Sequence, residues 1–243
     1  MTIPQTQTMQ WLPEQGEPQQ LLVLLHGVGS SGAGMAPLAE RLRREFPQAV
    51  ILAPDGFEAF DADPSGRARQ WFSVQGVTEE NRAQRIAAVL PQLAAWLAQA
   101  QQNLGLSQQS TALVGFSQGA ILSLALVHAH DGAAGRVLAF AGRYAQLPQS
   151  APQFTTLHWF HGDADPVIPV SHARQAMQRL ADLGADATID IAQGVGHEIN
   201  GTLFNQALHR LRSHIPHRTW AAAMGAAAAI APQAAPQGDG NLH

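Results

Sequence analysis

A chain of 243 residues with 46% hydrophobic side chains has enough apolar material for one large α/β domain. Its formal net charge is −4 and all 14 basic residues are arginine, with no basic cluster able to neutralise a row of phosphates, which argues against nucleic acid or an anionic membrane surface as a partner. The lack of cysteine excludes disulfides, thiolate catalysis and zinc-thiolate or iron–sulfur sites.

The opening Met1-Thr2-Ile3-Pro4-Gln5 has neither the basic region nor the apolar run of a signal peptide. No apolar stretch approaches the ~20 residues that cross a bilayer. A cytoplasmic protein without an integral membrane segment is expected. Apolar runs bounded by turn residues predict strands at Leu21–Leu25, Val50–Ala53, Thr111–Gly115, Val137–Phe140, Leu157–Phe160 and Thr188–Ile191. Most are continuous rather than alternating, as suits parallel strands covered on both faces. Between them, helical spacing predicts helices over Met35–Phe46, Glu79–Asn103 (kinked at Pro91), Gln118–His130, Ser171–Leu183 and Ile199–Ile215. Strand–helix alternation points to an open, mostly parallel α/β sheet with helices on both faces, with a β/α barrel as the rival architecture. Glu58–Gly76 fits neither period and reads as a long loop. This domain spans residues 1–218. Residues 219–243 form an Ala/Pro/Gln-rich tail, with a short helix expected over Trp220–Ala231 and disorder over Ala231–His243.

Four motifs follow predicted strands. The first is His26-Gly27-Val28-Gly29, a turn that presents a backbone amide, that of Val28, to a developing oxyanion. Gly27 to Gly32 also satisfies G-x-G-x-x-G, with Asp55 near the place of a ribose-binding acid, so a dinucleotide site is the competing reading. Nothing downstream supports that reading, and Ala33 stands where a phosphate-binding loop needs lysine. The second motif, Gly115-Phe116-Ser117-Gln118-Gly119, lies between a strand and a helix. That context holds a serine hydroxyl above the sheet edge and aims the Gln118 amide and the helix N-terminus at the same oxyanion. The rival reading is a chance Gly-Ser-Gly turn.

The third motif is His161-Gly162-Asp163-Ala164-Asp165-Pro166-Val167. Here two carboxylates compete to orient a histidine. Asp165 precedes a proline and is biased to an extended conformation, whereas Asp163 suits a bond to the loop backbone. A metal site from His161, Asp163 and Asp165 is a weaker alternative. The fourth is Gly194-Val195-Gly196-His197, which places a histidine on a glycine-flanked loop late in the chain. The order Ser117, Asp165, His197 is that of the α/β-hydrolase fold. His209 and His214 fall within a predicted helix and read as surface or packing residues.

With these motifs the chain resembles the carboxylesterase/phospholipase branch of the α/β-hydrolases, which includes acyl-protein thioesterases, over roughly Gln20 to Thr219. The resemblance rests on His26-Gly27-Val28-Gly29 with the two leucines before it and on Gly66 with Arg69-Gln70-Trp71-Phe72-Ser73-Val74-Gln75-Gly76. It rests further on Gly115-Phe116-Ser117-Gln118-Gly119 and on Asp165-Pro166-Val167. It implies hydrolysis of small acyl esters or thioesters through Ser117, His197 and Asp165, the aspartate before proline, with no cofactor and no metal. Trp71 and Phe72 are expected either to line the acyl pocket or simply to pack the loop. Lysophospholipase, thioesterase and peptidase activities are the alternatives within enzymes. A non-catalytic binding module on the same fold is the alternative outside them.

Overall fold

The computed structural model describes residues 6–219 and 221–222. The tail helix and the disordered end expected after Thr219 lie outside the described residues, but for Ala221 and Ala222, which are helical. Among the described residues the main elements run in the order β1 (Thr8–Trp11), β2 (Gln20–Leu25), α1 (Ala36–Glu45), β3 (Ala49–Pro54), β4 (Glu58–Ala59), β5 (Arg69–Gln70), α2 (Glu79–Leu104), β6 (Thr111–Phe116), α3 (Gln118–Ala129), β7 (Arg136–Phe140), β8 (Thr156–Gly162), α4 (Val170–Asp182), β9 (Ala187–Ala192) and α5 (Gly201–Ser213). Seven strands form one open sheet in the order β1-β3-β2-β6-β7-β8-β9. All neighbours are parallel except β1, which lies antiparallel along β3. The sheet does not close, so the barrel is excluded.

The continuous apolar strands are explained by burial on two faces. Because side chains alternate along a strand, Leu21, Val23 and Leu25 of β2 pack into one core with α2, α3 and α4. Leu22 and Leu24 pack into the other, with Met35, Ala39 and Leu42 on one side and Leu203, Phe204, Ala207 and Leu208 of α5 on the other. Helix α3 is apolar nearly all round, and its residues from Gln118 to Leu124 are buried, as befits a helix wedged between the sheet and α2. Helix α2 starts with a capping box between Thr78 and Asn81 and ends at Gly105 in the left-handed region, φ 64°. It continues through the exposed Pro91 as one helix.

Two elements differ from expectation. Strand β1 carries no clear apolar signal, being a half-exposed edge strand held by pairing to β3. The Glu58–Gly76 segment is a loop closed at its base by the short β4–β5 pair. Within it Asp63 accepts from the Ser65 hydroxyl and from the Ser65 and Ala68 amides, which holds its pKa down at about 2. The sheet reverses its winding direction between β2 and β6. The crevice at the carboxyl ends of those strands is where open α/β sheets place their sites.

Candidate active site

Ser117 occupies the turn between β6 and α3 with φ 51° and ψ −113°, a conformation that costs a non-glycine residue about 1–3 kcal/mol. The surroundings hold it there: its amide donates to Phe140 O at 2.9 Å and its carbonyl accepts from the Ile121 amide at 3.0 Å. The flanking glycines are required by packing. A Cβ at Gly119 would sit 2.0 Å from Leu25 O, and one at Gly115 would sit 2.5 Å from Ala120 N. Helix α3 is thereby pressed against the end of β2.

Three loops bring Ser117, His197 and Asp165 together. His197 Nε2 lies 3.0 Å from Ser117 Oγ, and His197 Nδ1 lies 2.7 Å from Asp165 Oδ2. A carboxylate only accepts, so Nδ1 carries the proton and Nε2 faces the serine hydroxyl as an acceptor. Asp165 is buried; its Oδ1 accepts from the Val167 and Ile168 amides at 2.8 and 2.9 Å. Burial opposes its charge, but the bonds from His197 and those two amides outweigh burial and hold its pKa below the ordinary carboxylate value. The Phe116 ring packs against the His197 ring, centroids 5.0 Å apart.

The competing groups are engaged elsewhere. Asp163 Oδ1 accepts from Gly194 N at 2.6 Å, so it ties the Asp165 loop to the His197 loop rather than bracing only its own. His161 lies buried beneath Asp165. Its Nε2 is 2.8 Å from Ile168 O, to which it donates, and 3.4 Å from Asp165 Oδ2; burial lowers its pKa. His161 and Asp163 therefore point in different directions, and no cluster of three metal-ligating side chains forms among the described residues. Asp55 Oδ1 accepts from Gly32 N at 2.7 Å and braces the glycine-rich turn, the role left to it in place of a ribose contact. His209 is exposed, and His214 packs at the opposite end of the sheet against Asp186, 2.8 Å away.

The amides of Val28 and Gln118 donate no hydrogen bond among the described residues, and both belong to segments that flank Ser117. An open groove of ≈ 450 Å³ leads away from His197, walled by Val28, Met35, Leu38, Phe116 and Ile199, with Arg41 among its polar residues. Trp71 and Phe72 are not in this groove. Both side chains are buried, with the Trp71 ring packed on His26 and Phe57, and both border a separate open pocket of ≈ 420 Å³ with Phe57 and Val89. Sequence reasoning missed the Gln118 side chain. Its Oε1 accepts from Trp71 N at 2.9 Å and its Nε2 donates to Phe72 O at 2.8 Å, across 47 and 46 residues.

An open, mostly parallel sheet with a serine on the strand-to-helix turn beside its crevice is the architecture of an α/β-hydrolase. The phospholipase/carboxylesterase profile matches residues 11–215, and the chain belongs to that family. Esterase YpfH of Escherichia coli (strain K12) is 44% identical over 200 residues, 82% of this chain and 84% of that one. Acyl-protein thioesterase 1 of Eremothecium gossypii is 26% identical over 79% of this chain and 87% of that one. The solved structure of esterase PE8 superposes with a TM-score of 0.76 at 29% identity, over 86% of this chain and 99% of that one. The chain is a carboxylic ester hydrolase, and no helix among its described residues is long and apolar enough to cross a membrane.

Proposed function

We propose that this enzyme hydrolyses small acyl esters or thioesters through an acyl-enzyme on Ser117, with His197 as general base and Asp165 as the acid that orients it. The observation that carries this reading is the hydrogen-bonded line Asp165–His197–Ser117, at 2.7 and 3.0 Å, on a turn that strains its serine. His197 Nε2 takes the Ser117 proton as Oγ attacks the acyl carbonyl carbon. The carbonyl oxygen becomes an oxyanion between the Val28 and Gln118 amides. The intermediate collapses, and the alcohol or thiol departs with the proton from His197. Water, deprotonated by His197, then attacks the acyl-enzyme and releases the acid. Asp165 stabilises the imidazolium formed in each half without itself taking the proton. The apolar groove beside His197 supports an acyl group lying along Val28, Leu38 and Ile199.

Ser117→Ala tests the assignment. Turnover of a short-chain p-nitrophenyl ester should fall by about 10⁴ or more with the folded state retained, since binding and oxyanion stabilisation alone remain. A variant keeping a tenth of the wild-type rate would refute the nucleophile.

A further inference from the structure

The two amides assigned to the oxyanion sit on separate elements. Val28 lies on the turn after β2 and Gln118 on the first turn of α3. Donors aimed at a transition state are effective only when fixed in advance, and a misplacement of about 1 Å can cost on the order of 10²-fold in rate. Something must therefore hold the two segments in register, and the Arg69–Phe72 segment touches both.

On one side, the Gln118 carboxamide clamps this segment through the Trp71 amide and the Phe72 carbonyl. On the other, the same segment grips the residues that flank Val28. The Trp71 indole Nε1 donates to His26 O at 2.9 Å. Arg69 O accepts from Gly29 N at 2.9 Å, and Arg69 N donates to Ser30 O at 2.7 Å, a short antiparallel bridge. The His26 ring adds a brace from within: Nδ1 donates to Gly27 O at 2.7 Å and Nε2 accepts from Gly56 N at 2.8 Å. Burial lowers the pKa of His26, and this tautomer requires the neutral ring. Main-chain groups of His26, Gly27, Gly29 and Ser30 are thus all engaged, while the amide of Val28 between them stays unengaged. Gln118 and Trp71 are both buried, so these bonds are shielded from competing water.

We infer that the Gln118 side chain and the Trp71 indole N–H are positioning residues that lock the two oxyanion amides into one rigid unit. The inference rests on the proposed acyl-enzyme mechanism. Neither side-chain group touches substrate. Gln118 acts twice, its amide on the oxyanion and its carboxamide on the segment that fixes the other donor.

Trp71→Phe tests this most cleanly, because it deletes one N–H and keeps an aromatic ring in the core. Gln118→Met is the second variant, close in volume but unable to make either bond. Each should lower kcat by roughly tenfold or more with KM within about twofold, the pattern of an interaction made only in the transition state. Binding of a trifluoromethyl ketone, whose serine adduct bears an oxyanion, should weaken by a similar factor. The pH profile should be unchanged, because His197 is untouched. The double variant should be little worse than the worse single one, since both act through one segment. Should either variant fold with a lowered melting temperature but with wild-type kcat and ketone affinity, the two groups are merely structural and the inference is wrong. Parallel assays of Ser117→Ala separate the two failures. An active Ser117→Ala would overturn the mechanism itself, whereas an inactive one beside unaffected Trp71→Phe and Gln118→Met would overturn only the positioning role.

Discussion

Asp165 Oδ1 is pinned by two backbone amides, which leaves Oδ2 alone to face His197. In Asp165→Asn the amides would keep the carbonyl oxygen and turn the NH2 toward His197. The ring must then present an acceptor at Nδ1, which puts its proton on Nε2, facing Ser117. We expect kcat to fall on the order of 10⁴, by analogy with triad proteases. Asp163→Asn weakens only the tie to Gly194 and should cost about 1 kcal/mol of stability in urea unfolding, with kcat near wild type. The reverse outcome, a dead Asp163→Asn and a mildly unstable Asp165→Asn, would show the roles to be exchanged. Ser117, Asp165 and His197 were legible because each follows an apolar run and carries its own short motif. The Gln118 carboxamide, His161 and Arg69 were not legible in the roles they take, because those roles depend on partners that folding brings alongside. The one hint for Gln118 in the sequence was its place inside a recognised motif.

Among the elements, the strand-to-helix turn is the most tightly specified. Gly119→Ala would drive a Cβ to 2.0 Å from Leu25 O and 2.8 Å from His26 O, which only separation of α3 from β2 can relieve. Because this backbone cannot yield cheaply, overpacking should cost about 1–3 kcal/mol or more, and activity should fall further than stability as the Gln118 amide shifts. A Gly119→Ala protein with wild-type melting temperature and kcat would contradict the close approach. The six strands read from apolar runs all form, and the five predicted helices appear with ends shifted by up to two residues. Strand β1 was missed because Thr8–Trp11 buries no side chain fully and gains its order from β3. The β4–β5 pair was missed because two residues per strand leave no period to detect. Pro91 does not end the helix: at an exposed position of a long helix anchored by Ile86, Val89, Leu90, Leu93 and Leu97, packing carries the helix through the missing amide.

At the scale of the molecule, continuous apolar strands identified a doubly covered parallel sheet, but strand order is invisible to periodicity and only the structure separates the open sheet from a barrel. Nor did the sequence indicate the polar cluster at the end of the sheet opposite Ser117. There His158 is fully buried, with Nε2 accepting from Arg136 Nη1 at 3.1 Å and Nδ1 donating to Thr188 Oγ1 at 2.8 Å. Burial first, then the charges of Arg136 and His214, push its pKa down to about 3 from an ordinary 6.5. Below pH 6.5 the unfolded chain takes up a proton that folded His158 refuses. Stability should therefore fall as pH drops from 6.5 toward 3, by up to about 1.4 kcal/mol per pH unit from this group. Asp186 nearby works in a lower window: its pKa is depressed, so its contribution is lost only as pH falls below the ordinary carboxylate range. Urea unfolding at pH 8 and pH 5 should show a loss smaller by about 2 kcal/mol in His158→Gln than in wild type. Equal losses in both proteins would contradict the buried neutral ring.

The central claim, that Ser117 is the nucleophile activated by His197 and Asp165, is tested most directly by covalent capture. Wild-type protein treated with a fluorophosphonate and digested should yield one modified peptide, with the adduct on Ser117. Labelling should be lost in Ser117→Ala and slowed by orders of magnitude in His197→Ala. Labelling at another residue, or undiminished labelling of Ser117→Ala, would contradict the account.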